Sequence, residues 1–240
     1  MQKFVDCTLN ALVEINSTID FKNIELFAHS SIGAGGDISS GFDLMAESIF
    51  VSHLSSFGKI ISEENGVIGS GQDVIILDPI DGSDNIASIF PYYGASIALQ
   101  RLGCTIAAVI CNFATKECFV RFSSNFYQTF LHDFTCKNTI KLHSFSKVGI
   151  FEKSHENLDF AKNLINEGLK FRSPGAVALS LAYAHYVNYV LFLGTIRNYD
   201  VEAGLYLCKD LHCYRADEVL LISKDRDIFE TILTFIKESL

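Results

Sequence analysis

Apolar side chains recur at positions 4, 5, 9, 12, 13, 15 and 19 of the chain. This approximates one face of a helix and predicts a helix over Phe4–Ile19. A glycine- and serine-rich loop at Phe27–Gly36 follows. Phe42, Met45, Ala46, Ile49, Phe50 and Leu54 then line one side of a second predicted helix, Asp37–Phe57. Lys59–Ser62 and Asp73–Leu77 read as strands, the second a continuous apolar run suited to burial on both faces. Segments at 93–100, 104–113 and 117–122 have the pattern of an antiparallel meander. From about His143 the pattern predicts a strand at Val148–Phe151, helices at Glu156–Gly168 and Gly175–Val187, and a strand at Tyr189–Leu193. A helix from Asp200 to about Lys209, a strand at Val219–Ile222 and a closing helix at 227–239 complete the chain. Strands interleaved with helices predict a layered α/β or α+β architecture, and the lack of any linker or repeat predicts one unit over residues 1–240.

Composition narrows the class. Of 240 residues, 49% are hydrophobic and 20% charged, which supports a packed core and excludes wholesale disorder. The uncharged stretch Ser173–Ile196 is long enough to cross a bilayer, but Pro174, Gly175, His185, Asn188 and Gly194 interrupt it. It reads as a buried helix and a buried strand, so no membrane is expected. Nineteen Lys and Arg against 28 Asp and Glu give a formal charge of −9, with no basic cluster. Such a balance argues against nucleic acid as a partner. Seven cysteines, an odd number without a C-x-x-C pair, predict free thiols in a reducing, cytoplasmic setting. Lys3 and Asp6 in the opening segment argue against a signal peptide. Cys104, Cys111 and Cys118, seven apart, read as small apolar residues of the meander.

The sharpest chemical feature is Asp78-Pro-Ile-Asp81-Gly-Ser83-Asp-Asn85. A buried strand is expected to end at the first carboxylate, with proline stopping it and a second carboxylate three residues later. Two acids held this close without a cation repel, and a divalent ion relieves that repulsion. Oxygen-only ligands, the two Asp and a carbonyl such as that of Ile80, suit Mg²⁺. The N–H groups of Gly82 and Ser83 start a helical turn and can face a phosphate. Upstream, Glu63 and Glu64 follow a short strand, and Glu63 is placed to add a ligand. Asp37 reads as a helix cap, while Asp43 and Glu47 are i,i+4 and share a face, which needs water or metal between them. Asp200 begins a late helix after a polar break.

Taken in order, Asp37…Ser40…Asp43…Glu47, Glu63-Glu64, Asp78-Pro-Ile-Asp81-Gly-Ser83 and Tyr199-Asp200-x-x-Ala-Gly resemble the inositol monophosphatase / fructose-1,6-bisphosphatase superfamily. Gly33-Ala-Gly-Gly through Tyr93-Gly-Ala-Ser-Ile-Ala98 looks most like its archaeal-type dual-activity branch. The resemblance implies a five-layer α/β/α/β/α sandwich and metal-assisted phosphomonoester hydrolysis. It implies that Glu63, Asp78 and the Ile80 carbonyl hold one Mg²⁺ and that Asp78, Asp81 and Asp200 hold a second, with Glu63 helping a third. Ser83, where the family usually has threonine, would pair with Asp43 to activate water, and Gly82 and Ser83 would hold the phosphate. Li⁺ and Ca²⁺ are expected to inhibit, and the chain is expected to form a homodimer. The haloacid-dehalogenase pattern D-x-D-G-[TS] does not fit, because two residues separate the acids here.

The resemblance frays around the substrate. Arg172-Ser-Pro-Gly175 is similar to the family's R-x-x-G turn, but Ala176 stands where a small hydroxylated residue is usual. Asn188 falls where the family's helix normally ends in glycine and aspartate. Phe192 and Leu193 replace the acid that holds a sugar ring, and Glu202 replaces a small residue near the metals. His185 reads as a core or interface residue. Arg172, Arg197, Lys209 and Arg215 are the cations of this half available to a second phosphate, with Asp81, Arg172, Gly175 and Arg197 as substrate contacts. These observations favour a phosphorylated sugar or polyol, of fructose 1,6-bisphosphate or inositol monophosphate type, as substrate. The alternatives are a 3′(2′),5′-bisphosphate nucleotidase and a catalytically idle relative that binds a sugar phosphate or a partner.

Overall fold

A computed structural model describes residues 1–36 and 38–239 of the chain. The helix α1 (Gln2–Thr18) is followed by a 3₁₀ turn at Ile24–Phe27 and the two-stranded ribbon β1 (His29–Ile32) and β2 (Ile38–Ser40). Then come α2 (Gly41–Leu54), β3 (Lys59–Ser62), β4 (Gly66–Ile68), β5 (Val74–Asp81) and the short α3 (Ser83–Ala87). A meander of β6 (Gly94–Arg101), β7 (Cys104–Asn112), β8 (Glu117–Phe122), β9 (Asn125–Phe130) and β10 (Asp133–Thr139) completes the first sheet, in the order β10-β9-β8-β7-β6-β5-β3-β4. The second half supplies β11 (Gly149–Glu152), α4 (Leu158–Asn166), β12 (Phe171–Arg172), α5 (Val177–Ala182), β13 (Tyr189–Leu193) and α6 (Asn198–Leu207). It ends with β14 (His212–Ala216), β15 (Val219–Ser223) and α7 (Arg226–Ser239), and its sheet runs β12-β11-β13-β15-β14.

Strand alternation builds the layers. On β5, Ile75 and Leu77 face α1 and α2, while Ile76 faces the opposite side with residues of α5 and α6. On β13, Val190 and Phe192 meet Leu181 of α5 and Val201 of α6, whereas Tyr189 and Leu191 pack with α4 and α7. Both faces of each central strand are covered, which is why these strands read as unbroken apolar runs. The result is the expected five-layer sandwich, with α5 and α6 as its filling. Gly204 permits this middle layer, because a Cβ there would lie 2.5 Å from Cβ of Leu181. No helix among the described residues is long and apolar enough to cross a membrane.

Several expectations change. The strand does not stop at Pro79: β5 continues to Asp81, and pairing with β6 slips between Asp78 and Asp81. Proline's missing donor is tolerated at such an irregularity. The second helix begins at Gly41, four residues later than expected, because Ser40 caps it in a reciprocal box with Asp43. The expected cap Asp37 lies outside the described residues. The loop at 27–36 contains β1, and the 175–187 helix shortens to α5. The strands β9, β10 and β14 went unread, their outward residues being too polar for a clear pattern.

Candidate metal centre

The strands β3 and β5 run parallel and β3 ends beside the middle of β5: Ser62 pairs with Leu77, so Glu63 and Asp78 lie together. Crevices beyond strand carboxyl ends are the usual ligand sites of such sheets. Asp200 enters from the first turn of α6, whose start is tied to β6 by the Ser96 hydroxyl donating to the Tyr199 carbonyl at 3.3 Å. Glu63, Asp78 and Asp200 present oxygens all within 4.8 Å of one another. Asp81 sits beside them, 6% exposed, with Oδ2 accepting the Leu179 N–H at 2.8 Å.

The electrostatics are those of acids crowded together in a buried place. Burial, then the charges of Glu63, Asp81 and Asp200, push the Asp78 carboxyl well above its ordinary value. Burial is also the largest cause for Asp81, opposed by the Leu179 N–H and reinforced by Asp200, Glu152 and Glu63. Asp78 Oδ1 is buried with no hydrogen-bond partner among the described residues. A buried carboxylate oxygen without a donor is costly, and a cation satisfies it. The donor set is oxygen only, which fits a hard divalent ion.

Asp43 and Glu47 behave differently. Asp43 Oδ2 accepts the Ser40 N–H and the Ser40 hydroxyl, each at 2.6 Å, and its Oδ1 lies 3.1 Å from Ser83 Oγ. Glu47 accepts the Asn65 N–H at 3.1 Å and the Asn65 side-chain amide. Protein donors therefore do the work expected of water or metal. The expected Asp43–Ser83 pairing is present, and Ser83 Oγ is also 3.1 Å from the Ile80 carbonyl. Gly82, at φ 92°, makes the left-handed turn from β5 into α3. A Cβ there would lie 3.1 Å from Ala176, so the small residue after Gly175 packs directly on this turn.

Gly175 lies at the same place: Asn85 donates to the Pro174 carbonyl at 2.8 Å and to the Tyr92 carbonyl at 2.7 Å, clamping the turn to α3. Arg172 is exposed on the edge strand β12, its guanidinium on the Phe171 carbonyl. Arg197, expected as a substrate contact, lies on the acids themselves. Its Nη1 lies 2.8 Å from Glu63 Oε1, and its Nε 3.0 Å from Asp200 Oδ2. Concentrated negative charge draws it inward. Lys209 stacks over Tyr206, and Arg215 reaches the Asn198 side chain at the mouth of α6. Glu202 turns away from the acids, accepting from Gln100 and Thr105 at 2.8 Å each. His185 is a core residue against Phe126, and burial lowers its pKa to about 4.

Glu152 was missed. It ends β11, is 1% exposed, and accepts the Gly175 N–H at 2.9 Å and the Ser180 hydroxyl at 2.5 Å. The signal was available: an acid closing a short apolar strand, the same arrangement that singled out Asp78.

With this geometry in hand, comparison with known proteins is decisive. The inositol monophosphatase family profile matches residues 22–211. The chain belongs to the inositol monophosphatase family. An inositol-1-monophosphatase of Mesorhizobium japonicum is 30% identical over 201 residues, covering 78% of this chain and 74% of that protein. A fructose-1,6-bisphosphatase of Pyrococcus furiosus is 27% identical, covering 82% and 76%. The Nus factor SuhB of Escherichia coli is 30% identical, covering 72% and 69%. Among solved structures, the extragenic suppressor protein SuhB of Bartonella henselae superposes with a TM-score of 0.78 at 20% identity, covering 95% of this chain and 96% of that one. An inositol monophosphatase–fructose 1,6-bisphosphatase gives 0.76 at 19%, covering 96% and 98%. These superpositions share the layered fold described above.

Proposed function

We propose that this family member is a Mg²⁺-dependent phosphomonoesterase acting on a small phosphorylated sugar or polyol. The observation that carries the reading is the partnerless buried Oδ1 of Asp78 inside the Glu63–Asp78–Asp200 group. Glu63, Asp78, Asp81, Asp200 and the Ile80 carbonyl would hold two or three ions. Bound there, the metal supplies a water of lowered pKa and neutralises charge on the phosphate and leaving oxygen. The remaining work belongs to the chain. Ser83 Oγ, 3.1 Å from Asp43 Oδ1, orients the attacking water and passes its proton towards that carboxylate. Burial holds the Asp43 carboxyl above its ordinary value, which makes it a better proton acceptor than an exposed aspartate. The Gly82 and Ser83 N–H groups bind the phosphate, and the Gly175 turn, fixed by Asn85 and Glu152, walls the substrate side.

In place of the acid that grips an inositol ring, Phe192 is buried and Leu193 sits at a strand end. The lack of an acid there, with Arg197 at the acids, favours a phosphorylated sugar over inositol phosphate. Two other readings compete. One is a 3′(2′),5′-bisphosphate nucleotidase. The other is a non-hydrolytic binder, favoured by Arg197 lying on the carboxylates and by similarity to proteins named Nus factor SuhB. Phosphate release from sugar phosphates, inositol phosphates and nucleotides, with and without Mg²⁺, separates them. Release only from sugar or polyol phosphates is expected. Release only from nucleotides, or none from any substrate, contradicts the proposal.

A further inference from the structure

Arg197 precedes α6 in extended conformation and reaches two acids that the fold brings from different places. Glu63 comes from the end of β3, and Asp200 from the same helix, three residues on. The guanidinium meets Glu63 Oε1 at 2.8 Å through Nη1, and Asp200 at 3.0 Å through Nε and 3.3 Å through Nη2. Two of the three acids whose oxygens gather within 4.8 Å are thus already paired with a permanent cation. A divalent ion would take the same oxygens, at the roughly 2 Å distances that Mg²⁺ requires. The guanidinium side chain is 31% exposed, against 12% for Glu63 and 9% for Asp200. The arginine is therefore the most solvent-accessible of the three partners.

We propose that Arg197 is a resident counter-cation that competes with divalent metal for Glu63 and Asp200, so that loading the centre exchanges guanidinium for metal. The inference rests on the reading of these acids as a metal centre. Its consequence runs opposite to that of a merely structural ion pair. Removing a structural arginine loosens the acids and weakens metal binding. Removing a competitor withdraws a positive charge and frees two ligands, so metal binds more tightly while the metal-free protein loses stability.

The test is calorimetric titration of Mn²⁺ into the purified chain, with thermal melts in chelator alongside. Arg197→Met, which keeps the apolar stem, is expected to bind Mn²⁺ about ten-fold more tightly or better, since a unit charge at this range outweighs a decade of affinity. Its metal-free melting temperature is expected to fall. Arg197→Lys, which keeps charge but loses the two-pronged contact, is expected to lie between. Should Arg197→Met not fold without metal, Arg197→Gln is expected to show the same tightening. Unchanged or weaker Mn²⁺ affinity in the neutral variants overturns the proposal. Asp78→Asn separates this from failure of the metal reading. Binding lost in Asp78→Asn but not tightened in Arg197→Met refutes the competition alone. Binding that survives Asp78→Asn unchanged, or is absent throughout, refutes both.

Discussion

Two groups of acids in this protein look alike in sequence and differ in structure. Asp43 and Glu47, one turn apart on α2, are saturated: the Ser40 and Asn65 backbones and side chains, with Ser83, supply donors. Asp78, gathered with Glu63, Asp81 and Asp200 from β3, β5 and α6, is not. Asp81 accepts one backbone N–H, Glu63 and Asp200 meet Arg197, and Asp78 Oδ1 has no partner among the described residues. Proximity of carboxylates therefore does not identify a metal centre. The balance of donors does, because a protein that needs an acid for structure also provides the groups that satisfy it.

That contrast is broken most severely at Asp78. Asp78→Asn is expected to reduce phosphate release at least about a thousand-fold, the several kcal/mol that metal neutralisation contributes at 1.36 kcal/mol per decade. Its metal-free melting temperature is expected to rise, since one like charge leaves a buried group. Equal activity in steady-state assays would contradict the contrast.

Next in size is the relay. Ser83→Ala is expected to lower kcat about a hundred-fold with Mn²⁺ affinity unchanged in calorimetry. Loss of metal binding instead would make Ser83 part of the metal centre.

The pH dependence sharpens the comparison. Asp78 and Asp81 have folded pKa values raised above the ordinary 3.8. The folded state then holds more protons than the unfolded one, so their contribution is fully present below that value and lost as pH rises through the raised ones. His185, lowered from 6.5 to about 4, acts oppositely: its contribution is complete above 6.5 and lost as pH falls through about 4. Wild type in chelator should lose stability relative to Asp78→Asn as pH rises above the ordinary carboxylate value, His185 being common to both, and Mg²⁺ should flatten the trend. Melting curves whose difference is flat in chelator would contradict the shifts.

The smallest effect is expected at the saturated pair. Glu47→Gln should cost about 1 kcal/mol of stability through its weakened bonds to Asn65, and change activity less than about two-fold. A large loss of Mn²⁺ affinity there would erase the distinction between the two groups.

The strands buried on both faces, β5, β13 and β15, were legible because burial on both sides leaves an unbroken apolar run. The same holds for the Asp78–Ser83 turn, whose residue types have few other uses in that order. What escaped depended on partners distant in sequence. Ser40 rather than Asp37 starts α2 because its hydroxyl and Asp43 cap each other. The strand passes Pro79 because β6 pairs irregularly across it. Arg197 turns inward because Glu63, 134 positions away, lies opposite, and Glu152 is buried because the Gly175 turn supplies its donors. Glu202, which replaces a small residue near the metals, is held aside by Gln100 and Thr105. Local pattern specifies elements and single motifs, whereas the pairing of charges is a property of the assembled sandwich.

The central claim is that the acids gathered around Asp78, and not the saturated pair, hold the metal that hydrolysis needs. Calorimetric titration of Mn²⁺ into wild type, Asp78→Asn and Glu47→Gln tests it most directly. The account predicts binding to wild type and Glu47→Gln with matching affinity and none to Asp78→Asn. Binding retained by Asp78→Asn and lost in Glu47→Gln would contradict it.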